Sequence, residues 1–414
     1  MPSAPAHYWS LEPGLAFLNH GSFGATPRPV LEAQRAWQTR IEAEPVRFLA
    51  RDLQPLLDEA RGELATFIDA DAEDLAFVPN ATAGFNTVLK SLRFDEGDEL
   101  LTTDHAYNAA KNAVEHVAAQ GGARVVIAPV PFPLSAADAV VDAVLEHATP
   151  RTRLALLDHV TSPTAVIFPM ERLVNELASQ GIDTLVDGAH APGMLDLHVA
   201  NLGAAYYTGN LHKWVSAPKG AGFLWIRPDR RDSIRPLVIS HGANAPHGER
   251  SRFRLEFDWT GTADPSAYLS VPEAIRFGAT IVPGGWPALR ARNHALALAG
   301  RDLVCRALDV QPPAPDELVG SMASIPLPGM QSGGEVQGID LYGDPVHDAL
   351  LEQHAIQVVI TPWPQRPDGG SWQRLLRLSA AAYNEIEDYE RLAAALPDVL
   401  AATAQGQAGS PHGD

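Results

Sequence analysis

Thr208-Gly-Asn-Leu-His-Lys-Trp214 follows the apolar run Ala204-Ala-Tyr-Tyr207 and sets one lysine, Lys213, just beyond what reads as a buried strand. Upstream, Thr184-Leu-Val186 is another apolar run, closed by Asp187 and continued by Gly-Ala-His190. The interval from Asp187 to Lys213 leaves room for a crossover and one further strand. The same rhythm extends outward: Leu75-Ala-Phe-Val78, Glu99-Leu-Leu-Thr102, Arg124-Val-Val-Ile127, Leu154-Ala-Leu-Leu157 and Phe223-Leu-Trp-Ile226 read as strands. Residues 84–92, 109–120, 136–147 and 170–180 read as helices between them; in the last, Leu173, Val174 and Leu177 share a face. Strands alternating with helices predict an α/β fold whose mainly parallel central sheet is sandwiched by helices.

The pattern changes near Pro283. A helix over 286–308, strands at 320–326, 356–360 and 375–379, and a helix over 386–396 closed by Pro397 predict a smaller α+β C-terminal domain. The expected organisation is an N-terminal arm (1–25), a large α/β domain (26–282) whose sheet is preceded by two helices from Pro27 and Gln54, the small domain (283–404, with part of the N-terminal segment), and a disordered tail (405–414).

Composition narrows the partners. The chain has 414 residues, 46% hydrophobic, with a net charge of −19 and a pI near 5.1. That acidity argues against nucleic acid or an anionic membrane as partner and fits an enzyme of small molecules. No apolar stretch reaches the roughly 18 residues of a membrane span. The N-terminus lacks the basic and apolar regions of a signal peptide, so the cytoplasm is the expected location. The single cysteine, Cys305, lies in a helical pattern and is expected to pack as a small apolar side chain. The 15 histidines are scattered, without His-Glu-x-x-His or paired cysteines, so no metal site is expected. No P-loop is present.

Five chemical features converge. Lys213 offers an amine whose pKa burial would lower. Asp187, at a strand's carboxyl end, offers a carboxylate where open α/β sheets bind ligands, and His190 follows three residues on. Asn80-Ala-Thr-Ala-Gly-Phe-Asn86 sits between a strand and a helix, so backbone amides near Ala81 and Thr82 can approach an anion, with Asn210 and His212 alongside. Asp104-His-Ala-Tyr-Asn108 offers a flat group, Tyr107 in preference to His105. Arg377, alone in the apolar run Leu375-Leu-Arg-Leu-Ser379, suits a substrate carboxylate or, alternatively, a structural ion pair. Together these are what pyridoxal 5'-phosphate (PLP) requires: an amine for its aldehyde, an acid for its ring nitrogen, a phosphate cradle and a ring-stacking group.

The combination resembles the class V aminotransferase family of PLP fold type I, and within it the isopenicillin N epimerase group. The resemblance rests on Leu18-Asn-His-Gly-Ser-Phe-Gly-Ala-Thr-Pro27, Val186-Asp-Gly-Ala-His-Ala-Pro-Gly193, the 208–214 stretch, Phe257-Asp-Trp-Thr-Gly-Thr262, Arg377-Leu-Ser379 and Tyr383-Asn384. It implies a homodimer with a shared active site, in which Thr262 reaches the phosphate of the neighbouring subunit. It also implies that Asn19-His-Gly-Ser22 borders the substrate entrance, with Asn19 and His20 as substrate-binding candidates. Ser162 stands where related desulfurases carry an asparagine near the cofactor oxygen. The mobile cysteine that desulfurases carry shortly before the carboxylate-binding arginine has no counterpart in 360–373.

The function this implies is chemistry at the α-carbon of an amino acid: epimerisation or racemisation first, with C–S β-elimination or transamination as alternatives. Tyr107 is the candidate second acid. A catalytically inactive PLP-fold binding protein is the remote alternative, and it would be expected to have lost Lys213, Asp187 or Arg377. Residues shaping the substrate side-chain pocket are expected in 1–25, 241–244 and 362–370.

Overall fold

A computed structural model describes residues 5–246, 248–332, 342–364 and 371–408 of the chain. After a two-residue strand, β1 (Ala16–Phe17), come the helices Arg28–Ala43 and Leu53–Ile68. Seven strands then build the main sheet: β2 (Leu75–Val78), β3 (Glu99–Thr103), β4 (Arg124–Ala128), β5 (Thr152–Asp158), β6 (Asp183–Gly188), β7 (Tyr206–Asn210) and β8 (Gly222–Ile226). Their spatial order is β2-β8-β7-β6-β5-β3-β4. The pairings from β7 across to β4 are parallel, while β8 runs antiparallel to both β7 and β2. The chain returns from β7 to β8 through a short loop with no crossover helix, and that connection forces the antiparallel pairing.

Side-chain alternation explains why these strands read as unbroken apolar runs. Leu156, Leu185 and Tyr206 belong to one hydrophobic layer, whereas Leu157, Val186 and Tyr207 belong to the other. The helices Ala81–Ser91 and Asn108–Gly121 cover the first layer with Phe85, Val88, Ala110 and Val114. The helices Asp138–His147 and Met170–Ser179 cover the second with Val141, Val144 and Leu173. With both faces buried, every position in the central strands favours an apolar residue.

The apolar run at 204–207 is displaced from the strand it announces. β7 begins at Tyr206 and carries Thr208, Gly209 and Asn210 within it. A Cβ on Gly209 would lie 2.6 Å from the Phe223 ring, so only glycine lets β7 and β8 approach here.

A second sheet forms from β9 (Met322–Ser332), β11 (Val359–Trp363) and β12 (Ser371–Ser379), antiparallel in the order β11-β12-β9. The short β10 (Ile356–Gln357) pairs in parallel with β1, tying the N-terminal segment to this region. Leu296, Ile325, Leu350, Leu376 and Leu392 share its core with Ala16 and Leu18. Cys305 is buried in that core, and burial pushes its thiol up to about 11, so it packs as an apolar group.

The last helix departs from the expectation that Pro397 ends it. It spans Ile386–Ala408 with Pro397 inside. Leu396 and Val399 are buried on its inner face, and this burial outweighs the one hydrogen bond that proline withholds. The helix takes in residues 405–408 of the expected tail, and 409–414 lie outside the described residues. Among the described residues no helix is long and apolar enough to cross a membrane.

Candidate active site

The carboxyl ends of β5, β6 and β7 open into a cleft of about 1180 Å³, counting its mouth, walled on the far side by residues 21–23, β11 and β12. Lys213 lies three residues past β7, is buried, and has its Nζ 3.0 Å from His190 Nε2. Burial, then the charge of Arg377, holds its amine down to about 7, although Asp187 and Asp158 pull the other way. Burial and Lys213 likewise keep the His190 imidazole neutral, and among the described residues its Nδ1 has no partner.

The Lys213 loop is held from behind. His20 is buried, with Nε2 2.8 Å from the Lys213 carbonyl and Nδ1 2.7 Å from the Tyr383 hydroxyl. Asn19 is also buried and accepts a hydrogen bond from the Ser22 hydroxyl at 2.7 Å. Neither lines the cleft, whereas Gly21 and Ser22 of the same 19–22 stretch do. Its bonds to the Lys213 carbonyl and the Tyr383 hydroxyl make His20 a support for the loop, and the neighbouring Gly21, Ser22 and Phe23 form the wall.

Gly24 passes over the same loop with φ +63°, where a Cβ would sit 2.1 Å from the His212 carbonyl oxygen. Gly24→Ala is expected to destabilise the protein by about 1–3 kcal/mol, because clash and left-handed strain add. Denaturant melts would show it, together with weakened cofactor retention as the 212–213 segment shifts.

Asp187 is buried at the end of β6, and its Oδ1 accepts from the Ala189 amide at 2.9 Å. Directly beside it in the sheet register stands Asp158, the last residue of β5, also buried and also lining the cleft. Sequence reading passed over Asp158, although Leu154-Ala-Leu-Leu157 followed by Asp repeats the pattern of Thr184-Leu-Val186 followed by Asp187.

The helix Ala81–Ser91 begins at the cleft's edge, with Asn80 as N-cap accepting from the Ala83 amide. Ala81 was expected to offer its amide to an anion, but that amide donates to Asn210 Oδ1 at 2.8 Å. Ala81, Thr82, Asn210 and His212 still meet at this corner of the cleft, where the helix N-terminus supplies partial positive charge. Burial lowers the His212 imidazole to about 4.

Of the two aromatic candidates, Tyr107 lines the cleft; His105 is fully buried, bonded to Thr164 Oγ1 and the Val130 carbonyl. Burial, then the nearby Asp187, raises the Tyr107 phenol, which therefore stays protonated at neutral pH.

Arg377 sits on the central strand β12, paired in register with Val359 and Ser324. Its Nη1 donates to the Ser162 carbonyl at 2.7 Å and the Ser162 hydroxyl at 3.0 Å, and its Nη2 donates to the Ser22 hydroxyl at 2.9 Å. All these partners are neutral. Among the described residues no carboxylate pairs with it, and its Nε has no partner. Burial lowers its guanidinium to about 10, so it remains charged and faces the cleft. Tyr342, Val359 and Thr361 complete this wall and had no sequence signal of their own.

Thr262 is exposed and stands outside this cleft. Residues 241–244 do not reach the cleft either: Gly242 packs against the 255–256 backbone. Residues 365–370 lie outside the described residues.

The arrangement fits PLP: a buried, near-neutral amine, a buried acid on the adjacent strand, an imidazole with an unpartnered nitrogen, and a helix N-terminus converge on one cleft. Comparison with known proteins agrees. The family model for aminotransferase class V matches residues 18–283. Isopenicillin N epimerase of Amycolatopsis lactamdurans is 37% identical, covering 94% of this chain and 96% of its own. Putative L-cysteine desulfhydrase 1 of Oryza sativa subsp. japonica is 33% identical, covering 94% and 84%. Among solved structures, a C-DES mutant with glycine covalently linked to the PLP cofactor superposes with a TM-score of 0.77 at 22% identity, over 96% of this chain and 100% of that one. Matches of that length and identity place the chain in the class V aminotransferase family, whose members are PLP-dependent enzymes of fold type I.

Proposed function

We propose that this protein catalyses proton transfer at the α-carbon of an amino acid, with epimerisation as the reaction that follows. The observation carrying this reading is the pairing, across one cleft, of a buried Lys213 amine held near neutrality with the charged, carboxylate-free Arg377. PLP bound here supplies an aldehyde for amine exchange and a ring that withdraws electrons from the α-carbon. Lys213 would hold the cofactor and, as a free amine, would take the α-proton; an amine titrating near 7 suits that task. Asp187 would stand against the ring nitrogen and keep it protonated, and His190 would hydrogen-bond the ring oxygen. Thr82, Asn210 and His212 would hold the phosphate at the helix N-terminus, and Tyr107 would cover the ring. Arg377, steadied by Ser22 and Ser162, grips the substrate carboxylate. The protonated Tyr107 phenol is the acid that can return a proton on the other side.

A second reading, C–S β-elimination from a cysteine-type substrate, draws on the same groups and on the 33% identity to a putative L-cysteine desulfhydrase. Transfer of persulfide through an enzyme cysteine is disfavoured, because Cys305 is buried in the small-sheet core. A homodimer is part of the proposal. Leu237, Val238 and Ile239 are exposed side by side. Leu237 and Val238 border a depression that also takes in Thr260 and Gly261, which would let Thr262 approach a second subunit.

Incubation with L-amino acids in D₂O separates the readings. Deuterium at Cα with loss of optical activity supports epimerisation; keto acid with released thiol supports the lyase. Absence of exchange with every amino acid would reject both. Arg377→Ala is expected to raise KM for amino acids by about 10–100-fold, since a charge-assisted pair worth roughly 1.5–3 kcal/mol is lost. An unchanged KM would make Arg377 structural.

A further inference from the structure

Asp158 has no role in the scheme above, yet it is placed as carefully as Asp187. The two residues are register partners on adjacent parallel strands. Each lies two positions beyond a leucine of the same hydrophobic layer, Leu156 and Leu185, so both side chains emerge on the same face. Both are buried and both line the cleft. Elsewhere a buried aspartate meets a cation, as Asp74 meets Arg231 at 3.1 Å. Among the described residues neither Asp158 nor Asp187 has such a contact; their recorded partners are backbone amides. Asp158 Oδ2 accepts from the Tyr107 amide at 3.2 Å, and among the described residues its buried Oδ1 has no partner.

Two carboxylates side by side in a dry site cannot both ionise cheaply. Resting on the PLP reading for its consequence, we propose that Asp158 is a positioning residue: a neutral carboxyl whose Oδ1–H donates to the Asp187 carboxylate while its Oδ2 anchors the Tyr107 amide. One side chain then fixes both the acid at the ring nitrogen and the loop that covers the ring. The proton accounts for the orphaned Oδ1, and it leaves a single negative charge to face the cofactor.

Titration behaviour agrees. Burial, then Asp187, raises the Asp158 carboxyl well above the usual aspartate range, against the Tyr107 amide, Lys111 and Lys213. These are the groups facing it: Asp187 from β6, Lys111 and the Tyr107 amide from the start of the helix Asn108–Gly121, and Lys213 from the loop after β7. A carboxyl raised in the folded state stabilises fully below its unfolded pKa, and that contribution is lost as pH rises through the folded value.

The test compares wild type with Asp158→Asn and Asp158→Ala. In the cofactor-free protein, melting temperature is followed from pH 5 to pH 8. Asparagine stays neutral, so Asp158→Asn should gain on wild type by about 3 °C or more across this range. Groups common to both proteins cancel in the difference. In the second arm, PLP is titrated into each protein by fluorescence. Alanine should weaken binding about 10-fold, and asparagine, which keeps the donor and the Tyr107 contact, should restore most of it. Parallel melting curves for wild type and Asp158→Asn would overturn the neutral carboxyl. Equal loss of PLP affinity in both variants would overturn it too, because an anion would then be required. If wild type itself binds no PLP, the functional reading fails while the cofactor-free arm still decides the state of Asp158.

Discussion

Lys213→Ala is expected to lower turnover at least about 10³-fold, in line with the roughly 10²–10⁴-fold that a positioned acid or base contributes. The wild type should be yellow with PLP, and borohydride should fix the cofactor onto the peptide containing Lys213; the variant should lose both properties. The fold should survive, because the Lys213 side chain is absent from the hydrophobic clusters and its Nζ has His190 as its recorded partner. Burying an amine costs stability. Holding it near 7, with His190 neutral beside it, is affordable only where the site gains in function. Removing it should therefore leave the melting temperature unchanged or slightly raised. Added alkylamines should restore part of the activity by entering the space the side chain leaves. A colourless Lys213→Ala protein with wild-type turnover would remove the lysine from the mechanism.

Much of this site is legible in the sequence because the sheet encodes it locally. An apolar run that ends in a polar residue marks a strand's carboxyl end, and Asp187 is located that way by three preceding residues alone. Arg377 stands out because a lone cation inside an apolar run needs an anion or a cleft. What escapes such reading depends on contacts between distant segments. His20 reads as part of the substrate border, yet it is bonded to the carbonyl of Lys213 and the hydroxyl of Tyr383, partners far away in the chain that no local pattern connects to it. The Ala81 amide looks free in a small-residue loop and is satisfied by Asn210, which is distant in the chain. The antiparallel β8 illustrates the same limit at the level of fold. A buried strand reads the same whichever way it runs, and only the short return from β7 sets its direction. Pro397 errs in the other direction: a strong local signal is overruled by the burial of Leu396 and Val399.

Asp187→Ala should separate cofactor retention from chemistry. Lys213 and the phosphate corner at Thr82, Asn210 and His212 are untouched, so the variant should still bind PLP and still yield a borohydride-fixed product. The ring nitrogen, however, loses the carboxylate that keeps it protonated, and electron withdrawal from the α-carbon weakens. Deuterium exchange at Cα should fall by about 10²–10³-fold, the size typical of deleting one preorganised electrostatic contact in a dry site. Burial pushes the Asp187 carboxyl up from the ordinary aspartate range, whereas the Ala189 amide and Lys213 pull it down. A protonated ring nitrogen facing it would add a further pull toward the charged form. Loss of Asp187 should consequently harm exchange most at high pH, where the ring nitrogen has no other means of keeping its proton. Exchange at the wild-type rate across pH 6–9 would show that the ring works unprotonated here, and would transfer the electrostatic burden to Lys213 and Arg377.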